Sequence, residues 1–201
     1  MQQKPMIILT GPTAVGKSAL SVELAKKING AVISADSMQV YRHMDIGSAK
    51  IRPEEMCGVP HYLIDVLDPS EEFHVVKFVE LAHEAMEKIY AAGQIPIVTG
   101  GTGFYIQALL KEVDFTESHG ELPIRKQLEE KAATEEGAAE LYRELSEVDP
   151  ASAETIHPNN VKRVIRALEY YHETGQKISE HNEEQKQKES PYCCLLYTSP
   201  S

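Results

Sequence analysis

Three groups of residues in this chain could do chemistry. The first is Gly11-Pro12-Thr13-Ala14-Val15-Gly16-Lys17-Ser18, which fits GxxxxGK[ST] at every fixed position. Glycines let backbone N–H groups turn inward around a phosphate, and a helix starting at the end of the loop adds a partial positive charge. Lys17 adds a point charge that can follow a leaving phosphate, and the Ser18 hydroxyl can ligate Mg²⁺. The second group is Asp36-Ser37-Met38-Gln39: a carboxylate able to take a proton from a nucleophile, followed by hydrogen-bonding and apolar side chains that suit a base. Taken alone, Asp36 is equally well read as a helix cap or turn residue. The third is Lys162-Arg163-Val164-Ile165-Arg166, a basic island. On a helix Lys162 and Arg166 share a face, while Ile165 points inward. Charge pattern alone favours a solvated helix face for this stretch.

The elements that must position these groups alternate. Residues 5–10 form an apolar, β-branched run that ends in the Gly-rich loop, so they predict a buried strand. Leu20, Leu24 and Ile28 recur at helix spacing and stop at Asn29-Gly30. Residues 31–35 predict a second strand, with Asp36 at its carboxyl end, the edge where open α/β sheets bind ligands. Residues 36–60 are irregular, 61–66 are a candidate third strand, 75–90 a helix, 94–99 a strand and 104–111 a helix. Beyond residue 113 the strands stop and helices are expected over 122–133, 136–145, 160–173 and 178–187. Asp149-Pro150 and His157-Pro158 punctuate them. The fold class expected is therefore α/β: a P-loop NTPase-like parallel sheet core with an all-helical insertion subdomain.

Composition narrows the function. The chain has 201 residues, enough for one sizeable domain and a small insertion. No run approaches the ~20 apolar residues of a membrane span, so no membrane partner is expected. Three cysteines and scattered histidines make neither a disulfide framework nor a metal set, which fits a reducing, cytoplasmic setting. A net charge of −11 argues against coating nucleic acid by bulk electrostatics, though not against a locally basic groove.

A di- or triphosphate ligand is the strongest inference from the loop, but it leaves the reaction open. Most P-loop proteins act on the terminal phosphate of a nucleotide and carry an Asp at the end of a second apolar strand. Here the run 94–99 ends in Gly100-Gly101-Thr102, and Asp65 falls where a turn could start. No Arg-rich lid precedes residue 160, which weakens a small-molecule or nucleoside kinase, an ATP-binding reading, without removing it. Two further readings share the loop: an isopentenyltransferase acting on free adenine nucleotides, which would not need the helical stretch from 113 to about 186, and a nucleotide-gated RNA-binding module.

The blocks 11–18, 36–41, 44–50, 60–65, 100–105 and 156–169 together make the chain resemble the bacterial tRNA dimethylallyltransferases over residues 5 to about 192. Asp36-Ser37-Met38-Gln39-Val40-Tyr41 carries more of that resemblance than the P-loop does. The resemblance implies transfer of a dimethylallyl group from dimethylallyl diphosphate to the exocyclic amine of the adenosine beside the anticodon, with Mg²⁺ as cofactor. It implies Asp36, Thr13 and Lys17 as catalytic residues, with the diphosphate in the loop 11–18. It further implies tRNA contacts, through the anticodon stem-loop, at Asp36, Ser37, Met38, Gln39, Thr102, Arg125 and Lys162 to Arg166, in a monomer.

The expected organisation is a P-loop core over residues 1–112, a tRNA-contacting helical insertion over 113–186, and the start of a return strand over 187–193. From Cys194 onward the chain resembles a translated sequencing adapter, so residues 194–201 are expected to be non-native and to make no well-packed core contacts.

Overall fold

The computed structural model describes residues 3–12, 14–111, 123–187 and 190–198, and the chain divides into two compact units. The first comprises Met1–Val113 with Glu189–Ser201, and the second Asp114–Lys188.

In the first unit the elements are β1 (Lys4–Thr10), α1 (Lys17–Ile28), β2 (Gly30–Ser34), α2 (Pro53–Met56), β3 (His61–Tyr62), α3 (Val75–Ala91), β4 (Ile95–Gly100), α4 (Gly103–Lys111) and β5 (Tyr192–Thr198). The strands make one sheet in the order β3-β2-β4-β1-β5, and every pairing is parallel. Because side chains alternate across a strand, each strand feeds both faces. Met6, Ile8, Ala31, Ile33 and Val98 pack with Phe78, Ala82, Met86 and Ile89 of α3 and with Ile106 and Leu109 of α4. Leu9, Val32 and Ile97 pack with Val22 and Ala25 of α1. Helices thus cover both faces, as a parallel sheet with near-continuous apolar strands requires.

The third strand is shorter than expected, two residues instead of 61–66. The backbone turns left-handed at Leu63 (φ 61°) and again at Asp65 (φ 54°), which ends the ladder. Within the irregular stretch 36–60, residues 53–56 form a single helical turn with Pro53 at its start.

At the end of the chain a strand begins within the expected return segment 187–193 and runs further than expected. Tyr192 to Thr198 pair with β1 along its whole length, from Lys4↔Tyr192 to Thr10↔Thr198. Residues 194–198 therefore lie in the sheet, and Cys194 packs partly against the core. Leu195 and Leu196 nevertheless stay 65% and 55% exposed. An edge strand is held by backbone hydrogen bonds from one neighbour, so it can pair without burying its side chains.

The second unit is helical: α5 (Pro123–Lys131), α6 (Glu135–Val148), α7 (Pro150–Thr155), α8 (Val161–Thr174) and α9 (Ile178–Gln187). Leu128, Leu141, Leu145, Ala153, Val164, Ile165 and Leu168 make its core. Asp149-Pro150, expected as punctuation, begins α7: Pro150 takes the first helical position and Asp149 caps it. Asp149 is 2% exposed and accepts from the Ser152 amide (3.1 Å) and hydroxyl (2.6 Å) and from the Ser179 amide (3.0 Å) and hydroxyl (2.6 Å). It thereby ties α7 to the start of α9.

These contacts have two measurable consequences. A Cβ on Gly100 would run into the carbonyl oxygen of Ala35, so β2 and β4 approach this closely only because position 100 has no side chain. Gly100→Ala should lower stability to chemical denaturation by about 1–3 kcal/mol, the usual cost of overpacking. Burial raises the Asp149 pKa, but the four hydrogen bonds outweigh it and hold the carboxyl below the ordinary 3.8. Its folded pKa is depressed, so its stabilisation is present above that value and is lost as pH falls through the lower folded value. Asp149→Ala should cost about 2–3 kcal/mol at neutral pH by leaving buried donors unpaired. The gap from the parent protein should shrink in acid melts.

Candidate functional site

The strand order brings the carboxyl ends of β1, β4 and β2 side by side. β1 leads into the glycine loop, whose backbone is left-handed at Ala14 (φ 68°) and at Gly16 (φ 83°), the residue before α1. Gly16 can hold that conformation without a Cβ penalty. Thr13 lies outside the described residues. Lys17 sends its ammonium back across the loop, donating to the carbonyls of Gly11 (2.9 Å) and Pro12 (2.6 Å). Ser18 is exposed, as is Val15.

β4 stands between the P-loop strand and β2, so Asp36 follows not the neighbour of the P-loop strand but the next strand along. The two still face one cleft because β4 finishes in glycines. Gly101 lies so near the loop that a Cβ there would sit 3.8 Å from the Gly11 carbonyl. The cleft has a volume of about 420 Å³ and is lined by Ala14, Gly16, Lys17 and Ser18 on one side, Thr99 to Gly101 at its floor, and Ser34, Asp36, Met38 and Gln39 on the other. Gly47, Ser48 and Ala49 complete its wall.

Asp36 fills the turn role that its type suggested, through one of its two carboxylate oxygens. Oδ1 accepts from the amides of Met38 (2.8 Å) and Gln39 (3.3 Å), which builds the turn after β2. Among the described residues Oδ2 has no hydrogen-bond partner and is left for a ligand. The hydroxyl of Tyr105 lies near enough to feel that charge. Burial, then Tyr41 and Asp36, raise its pKa, so it stays a neutral donor. Ser37 is half-buried, while Met38 is 46% exposed.

Gln39 is occupied within the protein. Its Oε1 accepts from the Ser34 hydroxyl (2.9 Å), and its Nε2 donates to the carbonyls of Ser48 (3.2 Å) and Ala49 (3.3 Å). The segment carrying those carbonyls is also pinned by Lys50, whose ammonium reaches Asp45 (2.8 Å), Asp65 (2.7 Å) and the Tyr41 carbonyl (2.9 Å). Burial lowers the Lys50 pKa, but its bonds to the two carboxylates outweigh this and leave it raised, so the side chain is a fixed cation. Sequence reasoning missed Lys50. Its signal was a lysine closing a Gly-Ser-Ala turn fifteen residues before an unassigned aspartate. The contact also gives Asp65 a structural partner.

Thr102 is half-buried, and its carbonyl accepts from the Tyr105 amide (3.0 Å) at the start of α4. In the helical unit Lys162 and Arg163 are exposed on α8. Val164 and Ile165, inside the tRNA-contact segment that the resemblance implies, lie 1% and 5% exposed in that unit's core, which agrees with the inward reading of Ile165. Their side chains hold α8 in place. Arg166 and Arg125 both reach Glu169 Oε2, at 3.1 and 3.4 Å, and Arg125 also pairs with Glu129 at 3.0 Å. Among the described residues no group of histidine, cysteine and carboxylate side chains converges to hold a metal, and no helix is long and apolar enough to cross a membrane.

Known proteins resemble this chain in sequence and fold. The chain is 64% identical over 189 residues to a tRNA dimethylallyltransferase of Lachnoclostridium phytofermentans, covering 94% of this chain and 60% of that protein. It is 50% identical over 185 residues to the tRNA dimethylallyltransferase of Bacillus cytotoxicus, covering 92% of this chain and 58% of that one. Among solved structures it resembles a eukaryotic dimethylallyltransferase captured acting on tRNA, with TM-score 0.83 and 41% identity, covering 98% of this chain and 49% of that one. A tRNA isopentenylpyrophosphate transferase of Bacillus halodurans matches with TM-score 0.62 and 44% identity, over 98% of this chain and 60% of that one. The chain thus spans about 60% of the length of the curated relatives it matches. The family model for IPP transferase matches residues 39–200, most of the chain, and with the loop and Asp36 at one sheet edge this chain belongs to the IPP transferase family.

Proposed function

We propose that a full-length enzyme carrying this sequence moves the dimethylallyl group of dimethylallyl diphosphate onto the exocyclic amine of the adenosine beside the anticodon of tRNA, releasing diphosphate. The observation that carries this reading is one cleft lined both by the P-loop and by Asp36, whose Oδ2 is unpartnered among the described residues. A kinase would use a strand-end carboxylate to hold a nucleotide's Mg²⁺. Asp65, the other strand-end candidate, is engaged with Lys50.

The chemistry needs alignment, neutralisation of a leaving group and removal of one proton. An amine conjugated to a purine is a poor nucleophile, and an allylic carbon bearing a diphosphate is a good electrophile. The loop amides and Lys17 hold the diphosphate. Thr13 supplies a hydroxyl near its bridging oxygen, as the family resemblance suggests. The adenine leaves its stack to enter the cleft, as in other base-modifying enzymes. Met38 offers it an apolar surface, and Asp36 Oδ2 takes the amine proton as the carbon–nitrogen bond forms.

Mg²⁺ fits this cleft as an ion held largely by phosphate. Among the described residues the chain offers it the exposed Ser18 hydroxyl and no carboxylate cage, a donor set that matches an ion keeping several waters and binding through phosphate oxygens. When bound, it neutralises charge developing on the departing diphosphate. The anticodon stem-loop is read as lying along Lys162, Arg163 and Arg166, with Arg125 and Thr102 as further contacts. The enzyme is read as a cytoplasmic monomer.

Asp36→Asn keeps shape and reach but lowers proton affinity. Single-turnover transfer to tRNA should fall by roughly 10²–10⁴-fold, the usual scale of general acid–base catalysis, with diphosphate affinity little changed. Near-normal transfer would remove Asp36 as the base. Lys17→Ala should abolish productive diphosphate binding in equilibrium titration, and unchanged turnover in that variant would refute the phosphate-cradle assignment.

A further inference from the structure

Glu169 is a carboxylate on α8 with 1% of its surface exposed, inside the core of the helical unit. A charge in that position is costly unless it is paired. Its partners are the guanidinium groups of Arg166, one turn earlier on the same helix, and of Arg125 on α5, both meeting Oε2 through Nη1. Those two side chains are 35% and 43% exposed. Each arginine is therefore held from below by a buried anion and open to solvent above. Arg166 uses only Nη1 within the described residues, so its remaining N–H groups are free for another acceptor.

We propose that Glu169 is a positioning residue that pre-sets Arg166, and with it Arg125, as a fork for an RNA phosphate. This rests on the tRNA reading above. A planar guanidinium tethered through one N–H has fewer orientations open to it while its other donors stay available, and planar, multi-donor recognition of phosphate gains from that restriction. Lys162 lies one turn before Arg166 on α8, and Arg163 is beside it, both exposed and with no ion pair among the described residues. The face thus joins two freely moving cations to two fixed ones. A free arginine must lose its rotamer freedom on binding; these two lose it in folding.

A neutral side chain of the same shape separates positioning from charge. Glu169→Gln in a full-length enzyme should raise KM for tRNA by about 2- to 10-fold, the entropic cost of ordering one or two long side chains at binding. Turnover at saturating tRNA and KM for dimethylallyl diphosphate should stay near parental. The slope of log affinity for the anticodon stem-loop against log salt should not change, since no cation is lost. Arg166→Gln, by contrast, should flatten that slope by about one charge. Combining Glu169→Gln with Arg125→Gln and Arg166→Gln should add no further loss. If Glu169→Gln does not fold, Arg166→Lys serves in its place. It keeps the charge and loses the fork, and should weaken stem-loop binding at unchanged slope. Parental or tighter stem-loop binding by the folded Gln variant, or by Arg166→Lys, would overturn the proposal and leave Glu169 as packing or as a brake on local charge. A parental enzyme that transfers nothing to tRNA would instead defeat the functional reading, and the stem-loop titrations separate the two failures.

Discussion

A parallel sheet delivers every loop that follows a strand to the same edge, and the whole candidate site depends on that. The close approach of β2 to β4, made by Gly100 against the Ala35 backbone, sets how far the turn at Asp36 stands from the glycine loop. Move those strands apart by the thickness of one methyl group and the carboxylate shifts relative to the phosphate cradle. The apolar faces of the sheet, packed by α1 on one side and by α3 and α4 on the other, keep the edge rigid. A cleft of about 420 Å³ between fixed backbone segments is the result.

The far wall of that cleft is held by polar side chains. Gln39 and Lys50 together fasten the 44–50 segment through four carbonyl or carboxylate oxygens of that segment and its neighbours, and Asp65 completes the lysine's set. The 36–41 block therefore has a double use. Asp36 and Met38 face the cleft, while Gln39 braces it. A base-binding role for Gln39 has to work through that brace, since all three of its polar contacts are made inside the protein.

Much of this is legible in the sequence, for identifiable reasons. Glycine loop, strand and helix are contiguous in sequence, so motif and context can be read together at Gly11 to Ser18. Asp36 stands out because it follows a β-branched run. The strand order is not legible, because nothing local says that β4 inserts between β1 and β2. The helices of the second unit follow from apolar spacing in residues such as Leu141, Leu145, Val164 and Leu168. That same spacing separates Val164 and Ile165 from the basic residues around them, which a contiguous contact segment lumps together. The Asp65 contact of Lys50, the Ser179 contacts of Asp149 and the Arg125 contact of Glu169 escape a reading of the sequence because each joins residues distant in the chain. The continuation of the return strand over residues 194–198 escapes it because edge pairing asks little of side chains.

The central claim is that this P-loop serves an allylic diphosphate whose carbon, rather than its phosphorus, is attacked. The most direct measurement offers a full-length enzyme carrying this sequence dimethylallyl diphosphate labelled in the allyl group, unmodified tRNA and Mg²⁺, with terminally labelled ATP as the parallel substrate. Allyl label should appear in tRNA, on adenosine, in step with released diphosphate, and ATP should transfer nothing. Phosphoryl transfer from ATP with no allyl label in the tRNA would contradict the claim.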